Sequence, residues 1–350
     1  MSFWSPAPDP AEVVGQVRRW LDGPPDVRLV VGTSGSTGAP KRVVLARDAV
    51  LASVAASAAR LGATGPWALA LPASYVAGVQ VLVRSLVAGH APVVVDDEGW
   101  PAGEGWFTSL VPTQLARMVA DPAQLAVLAR AHTVLLGGGP VDQRVRAEAE
   151  EAGVRVVATY GAAETSGGCV YDGVPLDGVA VALGADGRIR IAGPTLFEGY
   201  LDDPRLTAEA LVDGWYVTSD AGRIDEDGRL VVLGRVDDVV VTGGLNVPAP
   251  AVAARLREHP AVAEAEVLGV PDQEWGNRVV AFVVPRRTVG SSTSNRAFDH
   301  VEPSVLLADL RDWVAEERPR AWAPRQLVVL EEIPLLPNGK PDRRALRARA

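Results

Sequence analysis

Cysteine is almost missing from this 350-residue chain: Cys169 stands alone, which excludes a disulfide framework and a cysteine-based zinc site. Four scattered histidines argue against a histidine metal cluster. No apolar stretch approaches the length of a membrane-spanning helix, so membrane insertion is not expected. The N-terminal MSFWSPAPDPAEVV lacks the basic start and apolar run of a signal peptide, so a reducing, cytoplasmic compartment is expected. Positive charge is also in deficit. A net charge of −9 argues against a nucleic-acid partner, because phosphate-backbone binding needs a basic surface. Within the 34 basic residues lysine is rarer still: only Lys41 and Lys340 are not arginine. Lysine offers a compact ammonium where arginine offers a planar fork, so two surviving lysines mark positions where the fork does not serve.

What is present suffices for a large core. Nearly half the residues are apolar, and the length fits one large or two ordinary domains. Val27–Val31, Trp67–Leu71, Pro92–Val95, Thr133–Leu136 and Val154–Ala158 read as strands. Asp48–Leu61, Val76–Ala88, Gln114–Ala120 (capped by Thr113) and Val141–Ala152 read as helices. This alternation predicts an α/β layered domain with largely parallel pairing. After about Val170 the short runs Arg188–Ala192, Gly214–Thr218 and Arg229–Leu233, separated by Asp-Gly turns, predict a small β-rich subdomain. A second α/β pattern follows: helix Val252–Glu258, strands Ala263–Gly269 and Arg278–Val284, helix Ser304–Glu317 and strand Gln326–Glu331. The polar stretch 286–303 reads as an exposed loop. The expected division is 1–236 and a small α+β unit, 237–350, and a site built across two domains can be assembled and dismantled by rotation.

The strongest local signal is Val31-Gly-Thr-Ser-Gly-Ser-Thr-Gly-Ala-Pro-Lys41. Gly32, Gly35 and Gly38 free the backbone amides to turn toward an anion. Thr33, Ser34, Ser36 and Thr37 add hydroxyl donors, and Lys41 adds charge. The loop follows a strand but lacks the Walker A spacing. By itself it predicts phosphate binding.

At this point the sequence resembles the acyl- and aryl-CoA synthetases of the adenylate-forming superfamily. TSGSTGAPK resembles their [ST]SG[ST]TGxPK loop. Ser109-Leu-Val-Pro-Thr-Gln-Leu115, Leu135-Leu-Gly-Gly-Gly-Pro140, Tyr160-Gly-Ala-Ala-Glu-Thr165, Trp215-Tyr-Val-Thr-Ser-Asp220, Gly234-Arg-Val-Asp-Asp238 with Gly243-Gly244, and Pro337-Asn-Gly-Lys340 follow in the family's order. The resemblance implies ATP, Mg2+ and coenzyme A as participants and a small carboxylate as substrate, with a homo-oligomer left open. Tyr160 would stack on adenine beside Gly161, with Gly138 and Gly139 admitting the base. Glu164 would hold Mg2+ on the phosphates. Asp220 would bind the ribose, Arg235 the ribose or phosphate, and Asp237 would be the pivot. Gly243 and Gly244 would face the thiol tunnel. Lys340 would bridge carboxylate and α-phosphate, offsetting the repulsion of two anions.

The short form before the phosphate loop, with Glu164-Thr-Ser-Gly-Gly-Cys-Val-Tyr-Asp-Gly173, most resembles actinobacterial 2-succinylbenzoate–CoA ligases of menaquinone synthesis. Ser74, Tyr75, Gly78, Arg84 and Thr113 are the acid-binding candidates, and Arg84, Ser74 or Thr113 would meet a second carboxylate. The pattern departs from the family at Tyr75 (usually His), Ala163 (usually a hydroxyl residue) and Ser219 (usually Gly). The departures leave two alternatives: a CoA ligase for another aryl or acyl acid, or a non-catalytic nucleotide-binding relative.

Overall fold

The structure, a computed structural model, describes residues 2–33, 41–286, 303–336 and 341–350, without the side chains at 237 and 303–305. Ser34, Gly35, Ser36, Thr37, Gly38, Lys340 and almost all of the 286–303 loop therefore lie outside the described residues. The chain forms two compact units. Of the described residues, the first comprises those from 2 to 218 and from 224 to 231; the second comprises those from 219 to 223, from 232 to 336 and from 341 to 350.

The first unit is mixed α/β; two sheets lie wholly within it, and a third continues into residues 219–223 and 232–235. A seven-stranded sheet runs in the order Val174–Pro175, Gly167–Tyr171, Val156–Ala162, Thr133–Leu136, Phe107–Leu110, Trp67–Leu69, Val93–Val94. Its five strands from Val156–Ala162 to Val93–Val94 are parallel; the glycine-bearing strand Gly167–Tyr171 runs antiparallel to Val156–Ala162, and the edge strand Val174–Pro175 runs antiparallel to Gly167–Tyr171 in turn. The parallel strands read as near-continuous apolar runs because both faces are covered. Helices Arg47–Leu61 and Val76–Val87 and the sheet share one core built on Val54, Leu61, Trp67, Leu69, Val79 and Leu82. A second core, with Leu115, Leu128, Val134, Leu136 and Ala149, lies under Pro112–Val119 and Gln143–Glu151.

A four-stranded sheet carries Ser2–Trp4, Val27–Gly32, Arg42–Leu45 and Gly199–Tyr200. The third, in the order Ala180–Leu183, Arg188–Ala192, Trp215–Ile224, Leu211–Val212, with Leu230–Arg235 also on Trp215–Ile224, is the β-rich region expected after Val170.

The second unit packs helices Ala249–Arg257 and Pro303–Glu317 on a sheet of Val262–Asp272, Gly276–Pro285 and Gln326–Val329. A hairpin precedes it, Val239–Thr242 with Leu245–Pro248, turning on Gly243 and Gly244. Both glycines have positive φ, 54° and 78°, as the two-residue turn that matches strand twist demands.

Several boundaries differ from the sequence reading. Helix Pro112–Val119 starts before Thr113, which lies in its first turn; Gln114 Oε1 accepts from the Val111 amide instead. Helix Pro10–Asp22, capped by Asp9, and strands Arg42–Leu45 and Gly167–Tyr171 were not anticipated. The strand expected to end at Ala158 runs on to Ala162, and the one expected to end at Thr218 runs to Ile224.

Candidate active site

In open parallel sheets, ligands bind outside the carboxyl ends of the strands. Here those ends lead into four segments singled out from the sequence: Ala70–Gly78 after Trp67–Leu69, Val111–Thr113 after Phe107–Leu110, Gly137–Gly139 after Thr133–Leu136, and Tyr160–Glu164 at the end of Val156–Ala162.

Glycines set the fit of this edge. A Cβ on Gly161 would lie 2.1 Å from the Gly167 carbonyl oxygen, so only glycine lets the two strands pair there. Gly138 has φ of 85°, whereas Gly139 would meet Pro112 at an ordinary 3.7 Å. The tight position in that run is Gly137, to which the sequence reading gave no role of its own: its Cβ would sit 2.5 Å from Thr159 Oγ1. On the acid side a Cβ on Gly78 would come within 2.3 Å of the Pro72 carbonyl oxygen. Ser74 and Tyr75 are half-buried at the start of helix Val76–Val87.

Arg84 is the charged candidate on the acid side. It is 6 % exposed, near the far end of that helix, and its guanidinium lies 5.0 Å from the Trp67 ring and donates to the Tyr171 hydroxyl at 3.3 Å. Six residues past Gly78, it is about 9 Å further along the helix axis, toward the opposite end of the strand from Ser74 and Thr113. Its Nε is buried without a hydrogen-bond partner among the described residues.

Glu164 is 5 % exposed in a 3-10 turn, Ala163–Thr165, that follows strand Val156–Ala162 directly. Its Oε1 accepts from the Tyr200 hydroxyl at 2.7 Å and its carbonyl from the Phe197 amide at 2.9 Å. Burial first, and then the Glu164 charge and hydrogen bond, hold the Tyr200 hydroxyl above the ordinary phenol range, so it remains a donor. Lys41 Nζ stands 5.2 Å from the centroid of the same Tyr200 ring. The Thr33 amide donates to the Lys41 carbonyl at 2.9 Å, closing the base of the phosphate loop. Lys41 and Glu164 thus meet at Tyr200, a residue with no recognised motif around it. Ala163, 8 % exposed, packs into the apolar core.

No group of three or more metal-binding side chains exists among the described residues. Mg2+ bound to a nucleotide takes one or two carboxylates and completes its shell with phosphate and water. Glu164, a hard oxygen donor with one oxygen fixed, fits that requirement.

In the second unit, Asp220 lies on strand Trp215–Ile224 and Arg235 ends its neighbour, Leu230–Arg235. Asp237 falls in the turn Val236–Asp238, where Asp238 pairs bidentately with Arg343. The Gly243 amide donates to the Trp275 carbonyl at 3.0 Å, and a Cβ there would meet the Trp275 ring at 2.7 Å. The residues flanking Pro337–Lys340 are joined: Leu335 bridges Pro341, and the Asp342 amide donates to the Pro334 carbonyl at 2.7 Å.

Residues 19–201 match the AMP-binding enzyme family, and residues 251–340 match the AMP-binding enzyme C-terminal domain. The chain belongs to the AMP-binding enzyme family. A probable 2-succinylbenzoate–CoA ligase of Mycobacterium tuberculosis is 44% identical over 337 residues, 92% of this AMP-binding enzyme and 84% of that protein. The solved o-succinylbenzoate–CoA synthetase of Bacillus subtilis, in complex with its acyl-adenylate intermediate, superposes with a TM-score of 0.73 at 27% identity, over 91% of this chain and 68% of that one. The same protein in complex with ATP and magnesium gives 0.72 at 27% identity, over 91% and 69%. The solved relatives agree with the mixed α/β architecture. No described helix is long and apolar enough to cross a membrane.

Proposed function

We propose that this chain is an ATP-dependent, AMP-forming ligase that activates 2-succinylbenzoate as an acyl-adenylate and then forms its coenzyme A thioester. The observation that carries the reading is the meeting of Lys41 and Glu164 at Tyr200, beside the carboxyl edge of the parallel sheet. It puts one cation and one buried carboxylate next to the closed base of an anion loop, which is the charge pattern of a metal-nucleotide site. The substrate comes from the kinship with 2-succinylbenzoate ligases.

In this reading Tyr160 stacks on adenine, and Gly161, Gly138 and Gly139 let the base approach the backbone. The loop Thr33–Lys41 holds the outgoing phosphates. Glu164 holds Mg2+, which neutralises phosphate charge when bound. Asp220 takes the ribose hydroxyls and Arg235 adds a contact to ribose or phosphate. Ser74, Tyr75, Gly78, Arg84 and Thr113 shape the acid pocket, with Arg84, Ser74 or Thr113 as donor for the second carboxylate. Lys340 brings positive charge to the point where the carboxylate attacks the α-phosphate, an interaction realised mainly in the transition state. Asp237 is the pivot between residues 1–236 and the lid 237–350, and Gly243-Gly244 lines the path of the thiol that displaces AMP.

The test is pyrophosphate release across a panel of carboxylic acids, followed by thioester formation with coenzyme A. The expected result is strong preference for 2-succinylbenzoate over benzoates and fatty acids. Preference for a simple benzoate or fatty acid would reject the substrate, and ATP binding with no release for any acid would reject the ligase.

A further inference from the structure

Tyr200 occupies a position that its own strand does not explain. Strand Gly199–Tyr200 is two residues long and pairs with Val43 and Val44, so it brings Tyr200 beside the strand that Lys41 leads into. The side chain is 7 % exposed, and every face of it is engaged. Phe197 meets the ring edge-on at 5.0 Å and also meets Tyr216 at 5.5 Å. The Tyr200 amide donates to Thr207 Oγ1 at 2.8 Å. Gly199 is pressed against the same threonine, where a Cβ would come within 2.7 Å. Tyr216 hydrogen-bonds to the Tyr200 hydroxyl, and that hydroxyl donates to Glu164.

A side chain clamped on ring, backbone and hydroxyl presents fixed geometry to whatever it touches. It touches two charged groups of opposite sign by two different mechanisms. The ring face attracts the Lys41 ammonium through its quadrupole. The hydroxyl donates to one carboxylate oxygen of Glu164, Oε1, at 2.7 Å. The carboxylate is therefore oriented through that oxygen.

We propose that Tyr200 is a positioning residue: its hydroxyl orients Glu164 for Mg2+ and its ring orients Lys41 for the phosphates, so that one side chain registers the metal ligand against the anion loop. This rests on the roles given above to Glu164 and Lys41. Partners that orient a metal ligand are typically worth roughly 10–100-fold in metal affinity. An exposed cation–ring contact is worth less, about 2–5-fold.

The experiment measures ATP affinity by titration calorimetry on the full chain, with saturating Mg2+ and with chelator, and takes the ratio as the Mg2+ enhancement. Tyr200→Phe keeps the ring and the packing. It should leave chelated ATP binding as in the wild type while reducing the enhancement roughly 10-fold or more. Glu164→Gln should reduce it at least as much, and the double variant should be no worse than Glu164→Gln alone, because the hydroxyl acts only through the carboxylate. Tyr200→Leu should in addition weaken chelated ATP binding by about 2–5-fold. If Tyr200→Leu does not fold, the phenylalanine arm still decides the hydroxyl. Full enhancement in Tyr200→Phe, or independent losses that multiply in the double variant, would overturn the proposal while leaving Glu164 as metal ligand. Full enhancement in Glu164→Gln would remove the metal role of Glu164, and the proposal would fall with it.

Discussion

Gly161→Ala tests the architecture of the site with a single methyl group. The added Cβ would lie 2.1 Å from the Gly167 carbonyl oxygen and 2.8 Å from both the carbonyl carbon of Gly167 and Cα of Gly168. Ordinary contact starts near 3.4 Å, and the obstructing atoms are backbone, so strands Val156–Ala162 and Gly167–Tyr171 must part by about 1 Å or more. They part between Tyr160 and Glu164. Forced overpacking of this kind costs about 1–3 kcal/mol. In a unit of this size each kcal/mol lowers the melting temperature by roughly 2–4 °C, so a drop of about 4–8 °C is expected at the middle of that range. A displacement of 1 Å at a reacting centre costs on the order of 10²-fold in rate, so adenylation measured by pyrophosphate exchange should fall by about that factor at temperatures where the variant is folded. Gly103→Ala is the control, since a Cβ there meets nothing within 4 Å and its melting point should be unchanged or slightly raised. A Gly161→Ala protein with wild-type melting and wild-type exchange would refute the close approach and the claim that this pairing fixes Tyr160 and Glu164.

Lys340→Ala should slow adenylation by about 10²–10³-fold, as loss of one transition-state donor does, yet spare thioester formation from preformed adenylate; equal losses in both half-reactions would contradict the assigned role. Ser166→Gly should be no less stable than Ser166→Ala, reversing the usual glycine penalty of about 0.5–1 kcal/mol, because Ser166 sits at φ of 53°, where an L side chain is strained; denaturant melts in which alanine wins by the usual margin would refute this. Burial pushes the Cys169 thiol up to about 11 from an ordinary 9. The unfolded chain therefore loses that proton first, and stability present below about pH 9 should fall by up to about 3 kcal/mol as pH rises through 11. Cys169→Ala should flatten the alkaline slope of the denaturation midpoint, and an unchanged slope would count against the burial effect.

The strand–helix alternation was legible because each parallel strand is a compact apolar run closed by glycine or a cap: Thr133–Leu136 emerged with its observed bounds. The motif residues were legible for a different reason, since phosphate, metal and carboxylate each demand particular side chains. Less legible was what holds those residues in place. Strand Gly167–Tyr171 hides behind two glycines that read as loop, yet one of them makes the approach that requires Gly161. Strand Arg42–Leu45 is four residues long and merges with the loop before it. Helix Pro10–Asp22 did carry a signal, Asp9 capping a helix with proline at its start, that the alternation pattern overshadowed. Thr113 looked like a cap because threonine caps helices, but Gln114 satisfies the Val111 amide in three dimensions.

The turn after Glu164 shows why support escapes a linear reading. Ser166 is fully buried in the left-handed region, a conformation that costs an L residue about 1–2 kcal/mol, and Gly167 follows at φ of 95°. Strain of that size persists only where surrounding structure over-determines it. Here Gln80 Nε2 and Ser53 Oγ donate to the Ser166 carbonyl at 2.6 and 3.2 Å, and Ser166 Oγ donates to the Thr195 carbonyl at 2.8 Å. Thr165 Oγ1 accepts from the Ala162 amide at 2.8 Å and donates to the Gly167 carbonyl at 2.7 Å. Three elements remote in sequence therefore converge on the residues just after Glu164, while Tyr200 holds its carboxylate and Phe197 its backbone. None of these partners is charged, so none stands out as functional by type. Their contribution is that Glu164 has one backbone path and one carboxylate orientation before any ligand arrives, which is the preorganisation that a carboxylate serving a metal-nucleotide pair requires.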